Sequence, residues 1–358
     1  MLGAGSVRRR PTAHGGHGLG ELPDAAGGRR AGRSGSRLHG DGVTIQPLVT
    51  VVTPSYNQGA YLEEAIVSVL EQAYQPIEYI VVDGGSTDGS VEIIRRYEDR
   101  LAWWESKPDG GQAAALNAAF ARSTGELLGW LNSDDTLLPG SVSLVGGALT
   151  ADPAALFAYG DAIYTDEASR STGHFRSDDL DPLHMVRTCT DRINPQGALF
   201  RRRALEIGGP LQGFYSWDFE FVLRLGLAGH AVRVESPVAT YRIHDEAKGM
   251  SAPRRRAEDY IEMYDRFFST PDLPVEVRAV EAESRAACLL WAGQLFYQAG
   301  DHGRARRCYL EALRLRPRLI RGRVPSFLAR TLIPPKVASG LRAMRTGGAV
   351  RTRTSAGG

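Results

Sequence analysis

Residues 128–141, LGWLNSDDTLLPGS, run an apolar segment directly into two adjacent carboxylates, Asp134 and Asp135. Two such groups side by side repel each other, and the pair becomes favourable when a cation or a polar ligand sits between them. Hard oxygen donors of this kind suit Mg2+ or Mn2+. Three other apolar runs also stop in polar clusters: PSYN at 54–57, DGGSTDGS at 83–90 and SKPDGG at 106–111. In the last of these, Gly110 and Gly111 stand just before a helical pattern, where backbone N–H groups can approach an anion closely.

The elements that position these clusters follow from periodicity. PLVTVVTPSYN, IEYIVVD, LAWWES and ELLGWLNSDD read as apolar strands, and GAYLEEAIVSVLEQAY, VEIIRRYED and GGQAAALNAAFARSTG read as helices. Ser90 is the expected cap of the second helix, and Asp88 competes for that role. Strands apolar on both faces that alternate with helices predict a parallel sheet covered on both sides. Ligands of such sheets lie beyond the carboxyl ends of the strands, so the four polar clusters are expected on one rim. Residues 155–250 read as a mixed extension of that sheet, with strands at 155–166, 197–202 and 231–244 and a helix at 217–229. From 252 onward the pattern is helical.

The charge is unevenly distributed. The chain of 358 residues has a formal net charge of +2. Residues 1–44 contribute about +4 and residues 312–358 about +11, which leaves the middle near −13. An acidic middle excludes a nucleic-acid-binding face there and suits a protein that holds divalent metal. The three cysteines, Cys189, Cys288 and Cys308, show neither a CxxC spacing nor an even-numbered framework, which points to a reducing compartment. No apolar run is long enough to predict a membrane-spanning helix, and the Arg- and Gly-rich start lacks the apolar stretch of a secretory signal. The expected location is cytoplasmic, with peripheral contact at the inner face of the plasma membrane through the basic tail.

Taken together and in order, VVTPSYNQGAYLEEAIVSVLEQAY, YIVVDGGSTDGSVEII, WLNSDDTLLPGS and FYSWDFEFVLRL resemble family 2 glycosyltransferases of the GT-A fold over roughly residues 46–250. The resemblance implies an α/β fold with a mixed, mainly parallel sheet and a metal-dependent inverting transfer from a nucleotide-diphosphate sugar, a UDP-sugar first. A glycan or lipid-linked acceptor in cell-surface polysaccharide synthesis is implied as well. Carried over residue by residue, it makes Asp135 the direct metal ligand, with His244 completing the site, and brings Asp134 nearer the ribose or sugar. Asp83 and Tyr56 fall to the base, and Pro54 and Asn57 to the nucleotide, with Gly84 standing where the family often has a second acid. Lys107, Asp109 and Gly111 fall to ribose or phosphate. Asp218 becomes the general base, with Glu220 as runner-up, Gln196 as an acceptor contact, and Arg242 and Lys248 as diphosphate-steering groups.

The expected organisation is a disordered segment at 1–44, the transferase domain at 45–250, a helical region at 251–317 and a basic tail at 318–358. Within the helical region, residues 288–317 resemble one tetratricopeptide repeat, with Gly293 and Ala305 at the close approach of its helices. A lone repeat must bury its apolar face on the catalytic domain, a protein partner or a second copy. The competing class is a non-catalytic scaffold that displays this hairpin. A nucleotidyltransferase is disfavoured because TPSYNQGAY carries no basic residue, and a dinucleotide-binding dehydrogenase because no GxGxxG follows the first strand.

Overall fold

The computed structural model describes residues 46–190, 192–244 and 252–332. The segment 1–44, Lys248 and the tail beyond residue 332 lie outside the described residues.

The first half builds four strands, β1 Val49–Ser55, β2 Ile77–Asp83, β3 Trp103–Ser106 and β4 Leu127–Trp130. Helices α1 Gly59–Leu70, α2 Ser90–Arg96 and α3 Gln112–Arg122 connect them, and α4 Ser141–Ala151 follows β4. All pairings among these strands are parallel, in the order β3-β2-β1-β4. Alternation along β1 and β2 separates the two faces. Val49, Val51, Tyr79 and Val81 pack with α1 and α4, whereas Val52, Ile80 and Val82 pack with α3 and the later helices. Both faces are therefore covered, as a buried parallel sheet requires.

The second half widens the sheet with β5 Phe157–Thr165, β6 Ser171–Phe175, β7 Leu199–Arg201 and β8 Ala231–Arg242. Strand β7 joins β4 antiparallel, β5 joins β7 antiparallel, and β5 carries β6 antiparallel and β8 parallel. The mixed extension expected from the sequence is thus present. Helices α5 Pro182–Thr188 and α6 Arg202–Gly208 precede α7 Trp217–Ala228. The sequence reading omitted β6, α4, α5 and α6. For α5 a signal existed: Asp181 accepts the His184 N–H and Pro182 opens the helix. At α2, Ser90 is the first helical residue. Asp88 accepts from the Ser90 N–H at 3.2 Å and the Gly59 N–H at 2.7 Å, so it ties the starts of α1 and α2 together.

The C-terminal helices are α8 Pro253–Ser269, α9 Val275–Ala279, α10 Glu281–Gln298, α11 His302–Leu315 and α12 Val324–Leu332. Met263, Tyr264, Phe268, Val277 and Cys288 belong to the same apolar cluster as the sheet residues, so the helical region shares the transferase core. Helices α10 and α11 form a hairpin over the segment read as a repeat, and its far side is closed by α12, with Val324 and Phe327 against Tyr309. Gly293 is required here: a Cβ at that position would stand 2.5 Å from the Tyr309 ring.

This contact makes a prediction. Gly293→Val must push the buried Tyr309 aside and is expected to destabilise the protein by about 1–3 kcal/mol through overpacking. Chemical denaturation monitored by far-UV circular dichroism checks it.

Candidate functional site

The rim beyond β1–β4 opens into two adjoining cavities. The larger, about 760 Å³, is walled by Pro54, Tyr56, Gly84, Asp109, Gly111 and Asp134. The four strand-end clusters do converge there. The smaller, about 460 Å³, holds Asp218 and Gln196 among aromatic side chains that include Trp130, Tyr164, Trp217 and Tyr241. Gln112, Asn132, Tyr215 and Trp217 line both, so the cavities share a wall.

The carboxylate pair is asymmetric. Asp135 is 3% exposed, and its oxygens accept the Arg242 backbone N–H at 2.8 Å and the Asn132 side-chain amide at 3.3 Å. Burial, reinforced by the charge of Asp134, raises its pKa well above the usual carboxylate range. Asp134 faces the larger cavity and lies 3.1 Å from His244 Nε2. The sequence reading gave Asp135 the direct contact with His244's metal; the structure brings Asp134 to His244 and sets Asp135 behind it. The His244 ring also packs against Tyr61 at 4.8 Å between centroids.

Arg242 does not face a diphosphate. Its side chain is 1% exposed. The guanidinium donates to Asp134 O, to Ser169 Oγ and to Glu64 Oε2, and lies over the Tyr61 ring. It therefore pins the turn after β4 to α1 and to the β5–β6 turn.

A second group of bonds orders the shared wall. Trp217 Nε1 donates to Gln112 Oε1 at 3.0 Å, and Gln112 Nε2 donates to Asn132 Oδ1 at 2.7 Å. Gln196 Oε1 accepts the Asn132 N–H at 3.1 Å. The start of α7, the start of α3 and the end of β4 are thereby locked together, which fixes Asp218 relative to the carboxylate pair. Gln196 is 3% exposed and serves this lattice while lining the smaller cavity. Asp218 is half-buried, and among the described residues no hydrogen bond or ion pair engages its carboxylate. Its charge, with those of Asp134 and Asp135, adds to burial in pushing Tyr241 up to about 12, so the three acids and this phenol occupy one neighbourhood. Glu220 points elsewhere: it pairs with Arg224 on the same helix at 2.6 and 2.8 Å.

The remaining expected residues have mixed positions. Asn57 accepts the Thr87 N–H and gives its own N–H to Ser86 Oγ, which joins two loops behind the cavity wall. Lys107 pairs with Glu105 at 2.7 Å. Asp83 is fully buried and bonded within its own turn. The sequence reading missed Gln112, Asn132, Trp217, Tyr241 and the arginines that open α8. Arg255 lines the larger cavity, and Arg256 lines the smaller, 5.8 Å from the centre of the Tyr215 ring. Asp259, one turn later, accepts the Tyr215 N–H at 2.7 Å and so holds the loop before α7. The RRR run at 254–256 was the available signal.

Among the described residues no cluster of three or more His, Cys, Asp and Glu side chains forms a closed metal cage. An open pair, Asp134 with His244, nevertheless fits Mg2+ or Mn2+, because these ions keep several positions for water and phosphate oxygens.

Comparisons with known proteins give the family and the fold. The family model described as glycosyl transferase family 2 matches residues 50–207. An uncharacterized glycosyltransferase of Nostoc sp. is 30% identical over 224 residues, which is 59% of this chain and 69% of the relative. TuaG of Bacillus subtilis, named as a candidate teichuronic acid biosynthesis glycosyltransferase, is 41% identical over 93 residues, 25% of this chain and 37% of that protein. With several such relatives the match spans only about a third of their length, 31% in a Rickettsia typhi glycosyltransferase. In fold, the chain is similar to Staphylococcus aureus TarS 1-349 in complex with UDP-GlcNAc, at a TM-score of 0.51 and 15% identity over 74% of this chain and 90% of that one. It is similar also to a Pyrobaculum calidifontis mannosyltransferase in complex with GDP-Man and Mn2+, at 0.51 and 20% over 86% and 82%. The chain belongs to glycosyltransferase family 2, and its fold is the GT-A type.

The shared wall gives the second prediction. Gln112→Leu keeps the side-chain volume but strands Trp217 Nε1 and the Asn132 amide, at an expected cost of about 1–3 kcal/mol. A lowered denaturation midpoint is the expected reading.

Proposed function

We propose that the protein transfers a sugar, with inversion, from a nucleoside-diphosphate donor in the larger cavity to a hydroxyl of an acceptor in the smaller one. The observation that carries this reading is the position of Asp218: a carboxylate with no hydrogen bond or ion pair among the described residues, in an aromatic-lined cavity that shares a wall with the acidic cleft. Aromatic walls with a few polar groups suit a sugar acceptor, whose C–H faces stack on rings while its hydroxyls reach Asp218 and Gln196. The role given in TuaG's name and the UDP-GlcNAc and GDP-Man of the structural neighbours support nucleotide-sugar chemistry in polysaccharide synthesis.

In this mechanism Asp218 accepts the proton of the acceptor hydroxyl. The freed oxygen pair forms the new bond to the anomeric carbon as the bond to the diphosphate oxygen breaks on the opposite face, which inverts the configuration. Asp134 and His244 would hold the divalent cation, and when bound it supplies positive charge against the leaving diphosphate. Arg255 and Arg256 add fixed positive charge at the mouth of the two cavities. Trp217, through Gln112, keeps the base on its side of the acceptor.

Two variants test the reading. Asp218→Asn should lower kcat by about 10^2- to 10^4-fold with donor binding retained, because only the proton acceptor is lost. Asp134→Ala should abolish the Mn2+-dependent part of nucleotide binding in calorimetry. If the wild-type chain binds no nucleotide with any divalent metal, the scaffold reading replaces this one.

A further inference from the structure

At one corner of the larger cavity Tyr56, Gly84 and Asp109 come together from three different loops. Tyr56 is 63% exposed, an aromatic ring left in water at the cleft wall. A Cβ at position 84 would stand 3.2 Å from Tyr56 Cδ2 and 3.4 and 3.5 Å from the two Asp109 oxygens. Ring and carboxylate thus lie against a single point, and glycine is what lets both approach it.

Asp83, the acid expected at the base, is held inside its own turn and buried away from the cavity. Its Oδ2 accepts the Gly85 N–H at 3.1 Å, the Ser86 N–H at 2.9 Å and the Ser106 hydroxyl at 2.7 Å, and its Oδ1 accepts the Ser86 hydroxyl at 2.5 Å. Four donors thus hold the Asp83 carboxylate, three of them on Oδ2, and they fix it in its own turn. It is also fully buried, outside the cavity lining. Asp109 differs on each count. Among the described residues only Oδ1 is engaged, by the Gly111 N–H at 2.7 Å, and Asp109 lines the cavity. The nearby cation Lys107 is held by Glu105.

We propose that Asp109, in place of Asp83, is the carboxylate that selects the donor base, by accepting the ring N–H of a keto nucleobase stacked on Tyr56. The inference rests on the reading above, that the cleft takes a nucleoside diphosphate. Uracil, thymine and guanine carry a ring N–H that a carboxylate accepts. Cytosine and adenine present a bare ring nitrogen on the corresponding edge, and its lone pair repels the carboxylate. Stacking on Tyr56 is indifferent to the base, so discrimination falls to Asp109. Gly84 enforces this division, because a larger residue there would displace both the ring and the acid.

The experiment is a calorimetric titration of UDP, GDP, dTDP, CDP and ADP into the full chain with Mn2+. The wild type should bind the three keto nucleotides about tenfold or more tightly than CDP and ADP. Asp109→Asn keeps an acceptor for Gly111 N–H but turns a donor toward the base. It should weaken the keto nucleotides by about tenfold or more and raise CDP in the ranking. Asp83→Asn should lower the melting temperature without reordering the bases. An unchanged ranking in Asp109→Asn, or a ranking altered by Asp83→Asn instead, overturns the assignment. Unselective binding that still needs Asp134 overturns it while leaving the transferase reading intact; absence of all nucleotide binding in the wild type removes both.

Discussion

The adjacency of Asp134 and Asp135 at the end of a buried strand is the constraint to which the surrounding structure answers. Two unit charges about 4 Å apart near a protein surface repel by about 4 kcal/mol, more than a typical single hydrogen bond returns. The fold resolves this by giving the two acids different surroundings. Asp135 is buried against the Arg242 N–H and the Asn132 amide, where burial and its neighbour favour the protonated form. Asp134 keeps access to the cleft and to His244. The Arg242 side chain then ties the Asp134 carbonyl to Glu64 on α1. Positive charge from the protein thus goes to the backbone of the pair's turn, and the Asp134 carboxylate stays available in the cleft.

This asymmetry explains which parts of the site were readable in the sequence. The alternation of strand and helix located the rim, because strand ends of a parallel sheet share one edge by topology alone. Pro54, Gly111, Asp109 and Asp134 accordingly appear in one cavity wall. What could not be read were partners remote in the chain. Arg242 looked like a phosphate-steering group, but Asp134, Ser169 and Glu64 claim it from three other segments. Glu220 seemed a spare acid until Arg224, one turn away, took it. Asp83 was correctly seen as the end of a strand, but the serines that fill its lone pairs sit 3 and 23 residues further on. Charged residues at strand ends are thus easily found and poorly assigned, since the demand for buried hydrogen-bond partners is met by the tertiary fold.

The C-terminal helices gain a role that composition did not suggest. The hairpin of α10 and α11 packs on α8, and the N-terminal turns of α8 reach the site. Asp259 on α8 holds the Tyr215 N–H, and Tyr215 borders both cavities. The apolar face of the repeat-like hairpin is buried against α8 and α12, so it backs the helix that brings Arg255 and Arg256 to the cavities. The helical region is a buttress for the loop before Asp218 by this chain of contacts.

The wall common to the two cavities joins these arguments. A transferase must bring its acceptor close to the donor's anomeric carbon and keep water from competing, and a misplacement of about 1 Å in such geometry is costly. Here the wall between the two cavities is set by side chains that bond each other: Trp217 to Gln112, Gln112 to Asn132, Asn132 to Asp135. They come from the start of α7, the start of α3 and the turn after β4, and each spends polar atoms on the next. The wall is rigid because it is satisfied, whereas Asp109, Asp134 and Asp218 retain acceptor capacity toward the cavities. Spent polar groups build the frame and unspent ones face the cavities, and that division follows from the cost of leaving a buried polar atom without a partner.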